Sequence, residues 1–257
     1  MSRVPRLAVV LAAGRGRRLG PLTDSVPKPL ARVGCVPVLH RLLNALDRAG
    51  VERVVLVVGY RGAQIVSSVG PSWRGMDVTY VVNPDWETAN NIVSLLRAAG
   101  EIREDFLLLE ADLLLPEEGI RRMVGGDRIA VDVVRPGQEG TTVEADSRGL
   151  VVSMHVSSAR GPHAATNLLK TVNLYSIRRS TFADRLLPRL ESLVRMGCTD
   201  EYYERAIAGA IADRDAHFHT VPFSDLPWLE IDTLRDLARA ESMLAPAARL
   251  RRVRCSG

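Results

Sequence analysis

Four short apolar runs, Leu7–Leu11, Val54–Val58, Val78–Val82 and Phe106–Leu109, alternate with stretches of helical periodicity in the first half of the chain. Helices are expected at Val38–Ala49, ending at Gly50, around Gly62–Ser68, and at Asn91–Ala99, stopping at Gly100. A strand that is apolar at every position has both faces buried, as happens in a parallel sheet covered by helices on both sides. The alternation therefore predicts an α/β chain with a doubly wound, Rossmann-like, mainly parallel sheet. The second half reads differently. Arg128–Arg135, Thr142–Ala145, Val151–Val156 and Thr171–Ile177 are β-like, with turn signals between them. Helices at Ser180–Arg195 and Glu201–Ala212, a strand at His217–Val221 and a last helix at Leu234–Leu244 complete the chain. These strands add an antiparallel β extension to a mixed sheet.

Composition narrows the class further. With 46% apolar and 25% charged residues, the chain can bury a large core, and wholesale disorder is excluded. Three cysteines (Cys35, Cys198, Cys255) are too few and too scattered for a disulfide framework or a zinc site, and they fit a reducing cytoplasm. No apolar run approaches the ~18 residues needed to span a membrane. Arg6 and the run Leu7–Ala13 resemble a signal peptide, but the stretch is short and Gly14-Arg-Gly-Arg-Arg18 follows at once, so it reads as a buried first strand. No internal repeat or long linker appears. The chain reads as one domain with halves at about 6–125 and about 126–244 and a basic tail at 245–257. The arginines of that tail, Arg249–Arg254, read as a solvated end.

The net charge is +4, and of 34 basic residues only Lys28 and Lys170 are lysines. Arginine replaces an exposed lysine readily but not a lysine that acts as a compact point charge. The two lysines are therefore marked positions. The remaining positive charge is spread along the chain rather than clustered, which argues against a nucleic-acid partner.

The segment Leu11-Ala-Ala-Gly-Arg-Gly-Arg-Arg-Leu-Gly-Pro-Leu-Thr-Asp-Ser-Val-Pro-Lys-Pro-Leu30 leaves the carboxyl end of the first strand, the edge where open α/β sheets bind ligands. Gly14 and Gly16 allow close approach of the backbone and point N–H groups at an anion. Arg15, Arg17 and Arg18 add charge, and prolines on both sides restrict the backbone that presents Lys28. A P-loop is excluded, because Gly20 is followed by Pro21. A dinucleotide fingerprint is excluded, because Leu19 stands at its third glycine.

Four further segments carry chemistry. Asn83-Pro-Asp-Trp-Glu-Thr-Ala-Asn-Asn-Ile-Val-Ser94 follows the third strand. Its amides suit the edge of a nucleobase, or Asn90 or Asn91 caps the next helix. Glu110-Ala-Asp112 places two carboxylates at the end of a buried strand, an expensive arrangement unless a cation or solvent receives them. If both lie in the strand they face the same side. Trp228-Leu-Glu-Ile-Asp232 leads into Thr233 and the last helix, where Asp232 or Thr233 is either a cap or part of a site; Asp225 is a weaker choice. Lys170-Thr-Val-Asn-Leu-Tyr175 is strand-like, with Lys170, Val172 and Leu174 on one face. That lysine either snorkels at an edge or points into a site. Without a third ligand, His217 and His219 read as structural or exposed.

The Gly-x-Gly-x-Arg-Leu-x-Pro-Leu-Thr loop and the Pro-Lys-Pro-Leu after it resemble the signature of the nucleotidyltransferases that activate sugar phosphates, phosphocholine, inositol phosphate and phosphonates. The resemblance runs from about Leu7 to Leu244. The Asn-Asn-x-x-Ser-Leu pattern is similar to the phosphocholine and phosphonate cytidylyltransferase branch, and so favours CTP. By this resemblance Leu11, Ala12, Ala13, Gly14, Arg15, Gly16, Asn83, Asn90, Ser94 and Glu110 bind the nucleotide. Arg18 and Lys28 contact phosphates, and Asp112 and Asp232 hold Mg²⁺. Lys170, Asn173, Tyr202, Tyr203 and Glu230 face the acceptor. Gly20 stands where the family often has a second arginine, and His155-Val156 stands where many relatives have a lysine, so neither contact carries over. The expected reaction is transfer of CMP from CTP to a phosphonate or small phosphomonoester, of the 2-aminoethylphosphonate, hydroxyethylphosphonate, phosphonoformate or phosphocholine type. Two other readings stay open: a sugar-1-phosphate or inositol-1-phosphate nucleotidyltransferase, and a catalytically silent nucleotide-binding regulator. The presence of Lys28 and both metal carboxylates argues against the silent regulator. A homodimer is a family-level expectation.

Overall fold

The computed structural model describes residues 3–135, 138–156 and 168–248; the basic segment Arg249–Arg254 lies outside them. The four apolar runs form strands β1 (Leu7–Ala12), β2 (Arg53–Val58), β3 (Met76–Val82) and β4 (Phe106–Glu110). All are parallel, with β1 between β2 and β4 and with β3 outside β2. The chain winds outward from β1 in one direction as far as β3 and then returns to place β4 on the other side. That reversal creates a crevice at the carboxyl ends of β1 and β4, the position where such sheets bind ligands.

Burial explains the sheet's composition. Along β1, Leu7, Val9 and Leu11 enter one core layer, and Ala8, Val10 and Ala12 enter the other. Helix α1 (Val38–Ala49) has the boundaries expected from its periodicity and lays Leu39, Leu42, Leu43 and Leu46 on the second layer, beside α2 (Gly62–Val69) and the short α4 (Glu117–Arg121). The first layer is covered by α3 (Asn91–Ala98), α5 (Leu187–Arg195) and α6 (Glu204–Ala212). The helical run expected from Ser180 is continuous but contains a π segment at Phe182–Leu186, next to Pro188, which has no N–H to donate back along the helix. The helix expected from Glu201 starts at Glu204, and the strand expected from His217 starts at His219.

The antiparallel extension consists of β5 (Arg128–Val133), β6 (Thr142–Ala145), β7 (Val151–His155) and β8 (Leu169–Ile177), and β9 (His219–Pro222) adds to it parallel to β5. The long strand β8 joins the two regions. Its Leu174–Ile177 end pairs antiparallel with β4, while Lys170 and Leu169 pair with β6. On its other side it pairs with β5, and the register shifts between Thr171 and Tyr175. Asn173 sits in this β-bulge at φ 57, left-handed backbone that asparagine tolerates better than most residues. Val172 and Leu174, on either side of Asn173, still enter the same core layer, while Tyr175 and Ile177 enter the other. Helix α7 (Leu234–Ala248) packs through Ala240 on a third, smaller cluster with Val33, Val38, Leu114 and Ile231. Among the described residues no helix is long and apolar enough to cross a membrane.

Leu108 lies in the middle of β4 and is fully buried. Leu108→Ala is expected to lower the unfolding free energy by about 2–5 kcal/mol, read from a denaturant titration.

Candidate active site

The segment after β1 winds through short turns. Arg17–Leu19 and Lys28–Leu30 are single 3₁₀ turns, and the Lys28 stem crosses Gly16, where an added Cβ would lie 2.6 Å from the Lys28 Cδ. Only glycine permits that approach, at a backbone φ of 70°. The Lys28 Nζ lies 2.5 Å from Asp112 Oδ2 and 2.6 Å from Asp232 Oδ1, and Arg18 donates to the same Asp232 oxygen at 2.7 Å. Burial pushes the Lys28 ammonium down, but attraction to Asp112 and then Asp232 outweighs it and holds the group above the ordinary lysine range.

Asp112 is not in the strand, as the alternation with Glu110 assumed. Strand β4 ends at Glu110, and Ala111–Asp112 form a turn. A two-residue strand, Leu113–Leu114, then pairs antiparallel with Leu229–Glu230, and the Ile231 N–H donates to the Asp112 carbonyl at 3.0 Å. This pairing brings together carboxylates more than a hundred residues apart. Oxygens of Asp112, Glu230 and Asp232 lie within 4.8 Å of one another. Asp232 is not the helix cap. The Asp236 carboxylate accepts from the Asp232 and Thr233 N–H groups, and the Asp236 N–H donates to Thr233 Oγ1. Asp225 is remote and pairs with Arg122.

These groups line a cavity of about 780 Å³ that also receives Leu11, Ala13, Gly14, Asn83, Asn90, Ser94 and Glu110. Ala12 lies in the core beneath it, 3% exposed. Arg15 and Gly16 face a smaller adjoining cavity, and Arg15 pairs with Asp24 at 2.8 Å. The amides do not point freely at a ligand. Asn83 donates to Ser94 Oγ at 3.0 Å and accepts from the Asp85 N–H. Asn90 caps α3 by accepting from the Asn91 N–H at 2.8 Å. Asn91, whose role beyond a cap was not foreseen, clips two regions together. It donates to Glu110 at 3.0 Å and accepts from the Tyr203 N–H at 2.9 Å. Glu110 is held well above the ordinary carboxyl range by burial and then by Asp112, Glu204 and Glu230; the Asn91 hydrogen bond opposes this.

Lys170 lines the same cavity only 4% exposed, its Nζ donating to the Thr171 carbonyl at 2.8 Å. It is buried rather than snorkelling. Burial pushes its ammonium down, and Glu230, Glu204 and Asp232 oppose the shift. Asn173 donates to Glu230 at 3.3 Å. Burial, then Asp112 and Asp232, push the Glu230 carboxyl up to about 7. Tyr202 lines the cavity, 42% exposed. Tyr203 does not: it is fully buried, edge-on to Tyr175 with centroids 5.7 Å apart, so its placement among acceptor contacts is corrected to a packing role. Its neighbour Glu204 takes the place in the wall. Glu204 is 4% exposed with no hydrogen-bond partner on Oε2, and burial pushes its carboxyl up to about 7. In sequence Glu204 reads as an ordinary acidic first turn of a helix, so only its burial sets it apart. Trp86, Arg235 and Arg239, also unassigned by the sequence, complete other parts of the wall.

Residues 8–193 match the MobA-like NTP transferase domain. The CMP-5'-(3-aminopropyl)phosphonate synthase of Streptomyces rubellomurinus is 36% identical over 255 residues, 97% of this chain and 40% of that protein. The 2-aminoethylphosphonate cytidylyltransferase of Lancefieldella rimae is 38% identical over 114 residues, 44% of this chain and 45% of the relative. The chain thus spans less than half the length of the first of these relatives. Among solved structures, the CTP:phosphocholine cytidylyltransferase of Streptococcus pneumoniae has a TM-score of 0.77 over 93% of this chain and 99% of its own, at 19% identity, and so shares the fold. With a family match over most of its length and a catalytic-looking constellation at the switch point of the sheet, the chain belongs to the MobA-like NTP transferase family.

Proposed function

We propose that the chain transfers CMP from CTP to a phosphonate or small phosphomonoester, with release of pyrophosphate. The observation that carries this reading is one cavity lined by two sets of cations: Lys28 and Arg18 on the Asp112–Asp232 pair, and buried Lys170, with Glu230 near both lysines. A nucleoside triphosphate and an anionic acceptor each need such a partner, and both must reach the same reacting phosphorus. In the reaction an acceptor oxygen forms a bond to the α-phosphorus as the bond from that phosphorus to the bridging oxygen breaks, and pyrophosphate leaves with the electron pair. Lys28 and Arg18 neutralise charge on the phosphates, and Lys170 orients the acceptor anion. No covalent enzyme intermediate is needed.

Asp112 and Asp232, with Glu230 beside them, suit a hard divalent cation, and the buried Asp112 Oδ1 has no hydrogen-bond partner. These residues would hold Mg²⁺. When bound it supplies electrophilic activation of the phosphates and shields their charge. Lys28 occupies both carboxylates in the described arrangement, so nucleotide and cation binding would draw its ammonium toward phosphate.

The finer reading is an acceptor that carries an amine, such as 2-aminoethylphosphonate or its propyl analogue. The unpartnered Glu204 oxygen and the exposed Tyr202 support it, because an ammonium pairs with a buried carboxylate and with an aromatic face. The names of the aminoalkylphosphonate-handling relatives point the same way.

The test is an incubation with CTP, Mg²⁺ and a panel of phosphonates, phosphocholine and sugar 1-phosphates, following pyrophosphate. Release is expected with aminoalkylphosphonates; no release with any acceptor in protein that binds CTP would overturn the activity. A preference for UTP, GTP or dTTP would favour a sugar-phosphate enzyme instead. Asp112→Asn is expected to lower kcat more than ~100-fold with an unchanged melting profile. Lys170→Ala is expected to raise the acceptor KM or lower kcat with little change in CTP affinity, separable by steady-state kinetics and calorimetry.

Glu204→Gln has a pH signature. The fold favours the neutral carboxyl, so that stabilisation is complete below the unfolded carboxyl range and is lost as pH rises through about 7. The variant should therefore gain stability over the native chain by up to about 3 kcal/mol at pH 8 and by less at pH 5, as read by denaturant titration at each pH. Turnover of an amine-bearing acceptor should fall at the same time.

A further inference from the structure

We propose that the indole of Trp86 is the stacking face for the nucleobase. The inference rests on nucleotide binding in this cavity but not on which acceptor follows. Trp86 is half-buried and lines both the main cavity and the smaller one beside it, so its ring stands between the two. Its position is tightly determined. A Cβ on Gly59 would lie 2.6 Å from the Trp86 Cβ and 2.8 Å from the Ala13 carbonyl oxygen. The Gly59 backbone thus lies close to both the base of the Trp86 side chain and the end of β1, where Ala13 and Gly14 enter the cavity. Glycine at position 59 is the residue that allows it.

The ring also has an aromatic neighbour, tilted 58° to it. Tyr60 packs on it at 5.0 Å between centroids, with the Tyr60 hydroxyl donating to the Thr23 carbonyl at 2.7 Å. The guanidinium groups of Arg15 and Arg61 lie over the Tyr60 ring at 5.4 and 5.5 Å. The loop that presents Trp86 is closed by Thr88 and Ala89 N–H groups donating to the Asp85 carbonyl, and Asp85 pairs with Arg97. A half-buried aromatic ring fixed in this way carries little conformational cost on binding.

The side chains nearby leave stacking as the natural mode. Both ends of the Asn83 amide are committed to Ser94 and the Asp85 N–H, the Asn90 oxygen caps α3, and both ends of Asn91 hold Glu110 and Tyr203. The amide-rich segment that looks suited to a base edge therefore serves mainly to build the wall, and Trp86 is its large ring facing the cavity. Every base offers a π face, so this contact supplies affinity rather than base selection.

The experiment measures binding by calorimetry without acceptor, with Mg²⁺ and either CTP or inorganic tripolyphosphate, for the native chain and Trp86→Ala, Trp86→Leu and Trp86→Phe. Alanine and leucine are expected to weaken CTP about 10–100-fold while tripolyphosphate affinity stays within about 2-fold, and phenylalanine should recover most of the loss. Leucine keeps apolar volume without a π face, so it decides the matter if the alanine variant folds poorly. Equal losses for both ligands, or unchanged CTP affinity in folded Trp86→Leu, would overturn the proposal. If the native chain binds another nucleoside triphosphate in place of CTP, the same comparison with that nucleotide tests Trp86, while the cytidylyl reading alone fails.

Discussion

The site depends on one ammonium group held between two carboxylates. Lys28 joins Asp112 to Asp232 at 2.5 and 2.6 Å, with side chains that are no more than 18% exposed. Carboxylates line this cavity at seven described positions: Glu110, Asp112, Glu139, Glu204, Glu230, Asp232 and Asp236. Such a density of negative charge in a partly dry crevice needs a cation, and the lysine supplies one before any ligand arrives. Burial, with repulsion from neighbouring carboxylates at Glu110 and Glu230, pushes Glu110, Glu204 and Glu230 above the usual carboxyl range.

Two parts of the cavity wall are mechanically joined. Asn91 ties the start of α3 to Glu110 on one side and to Tyr203 on the other, and the Asn90 and Ile92 N–H groups donate to the carbonyls of Thr199 and Glu201. The segment leading to Glu204 therefore hangs on the same helix end that carries the loop of Trp86. A displacement of that loop has a direct route of hydrogen bonds to the wall that carries Glu204. The bulge in β8 does related work across the sheet. By placing Asn173 in left-handed backbone it turns that amide to Glu230, between the carboxylate cluster and Lys170.

Much of this was legible in the residue order. Runs that are apolar throughout, such as Leu7–Leu11, have only one comfortable environment, and the helix at Val38–Ala49 follows from its spacing and Gly50. The scarcity of lysine marked Lys28 and Lys170, and both line the cavity. The amide segment was harder to read. Asn83, Asn90 and Asn91 have the chemistry of base readers and of structural clips alike, and only their partners separate the two. Tyr202 and Tyr203 are adjacent in sequence, yet one is exposed and the other fully buried. No local pattern distinguishes them, because the helix begins after them, at Glu204.

The sequence by itself determined the layered α/β architecture, the glycine- and arginine-rich loop after the first strand and the identity of the charged groups, because periodicity, glycine placement and residue chemistry are local properties. Only the tertiary structure decided which carboxylates meet. Asp112 and Asp232 come together through a two-residue strand pairing, Leu113–Leu114 with Leu229–Glu230, too short to leave a signal in either segment. The same holds for Trp86 and Glu204. Whether an indole faces a cavity, or a carboxylate lacks a partner, depends on what the rest of the chain packs around it.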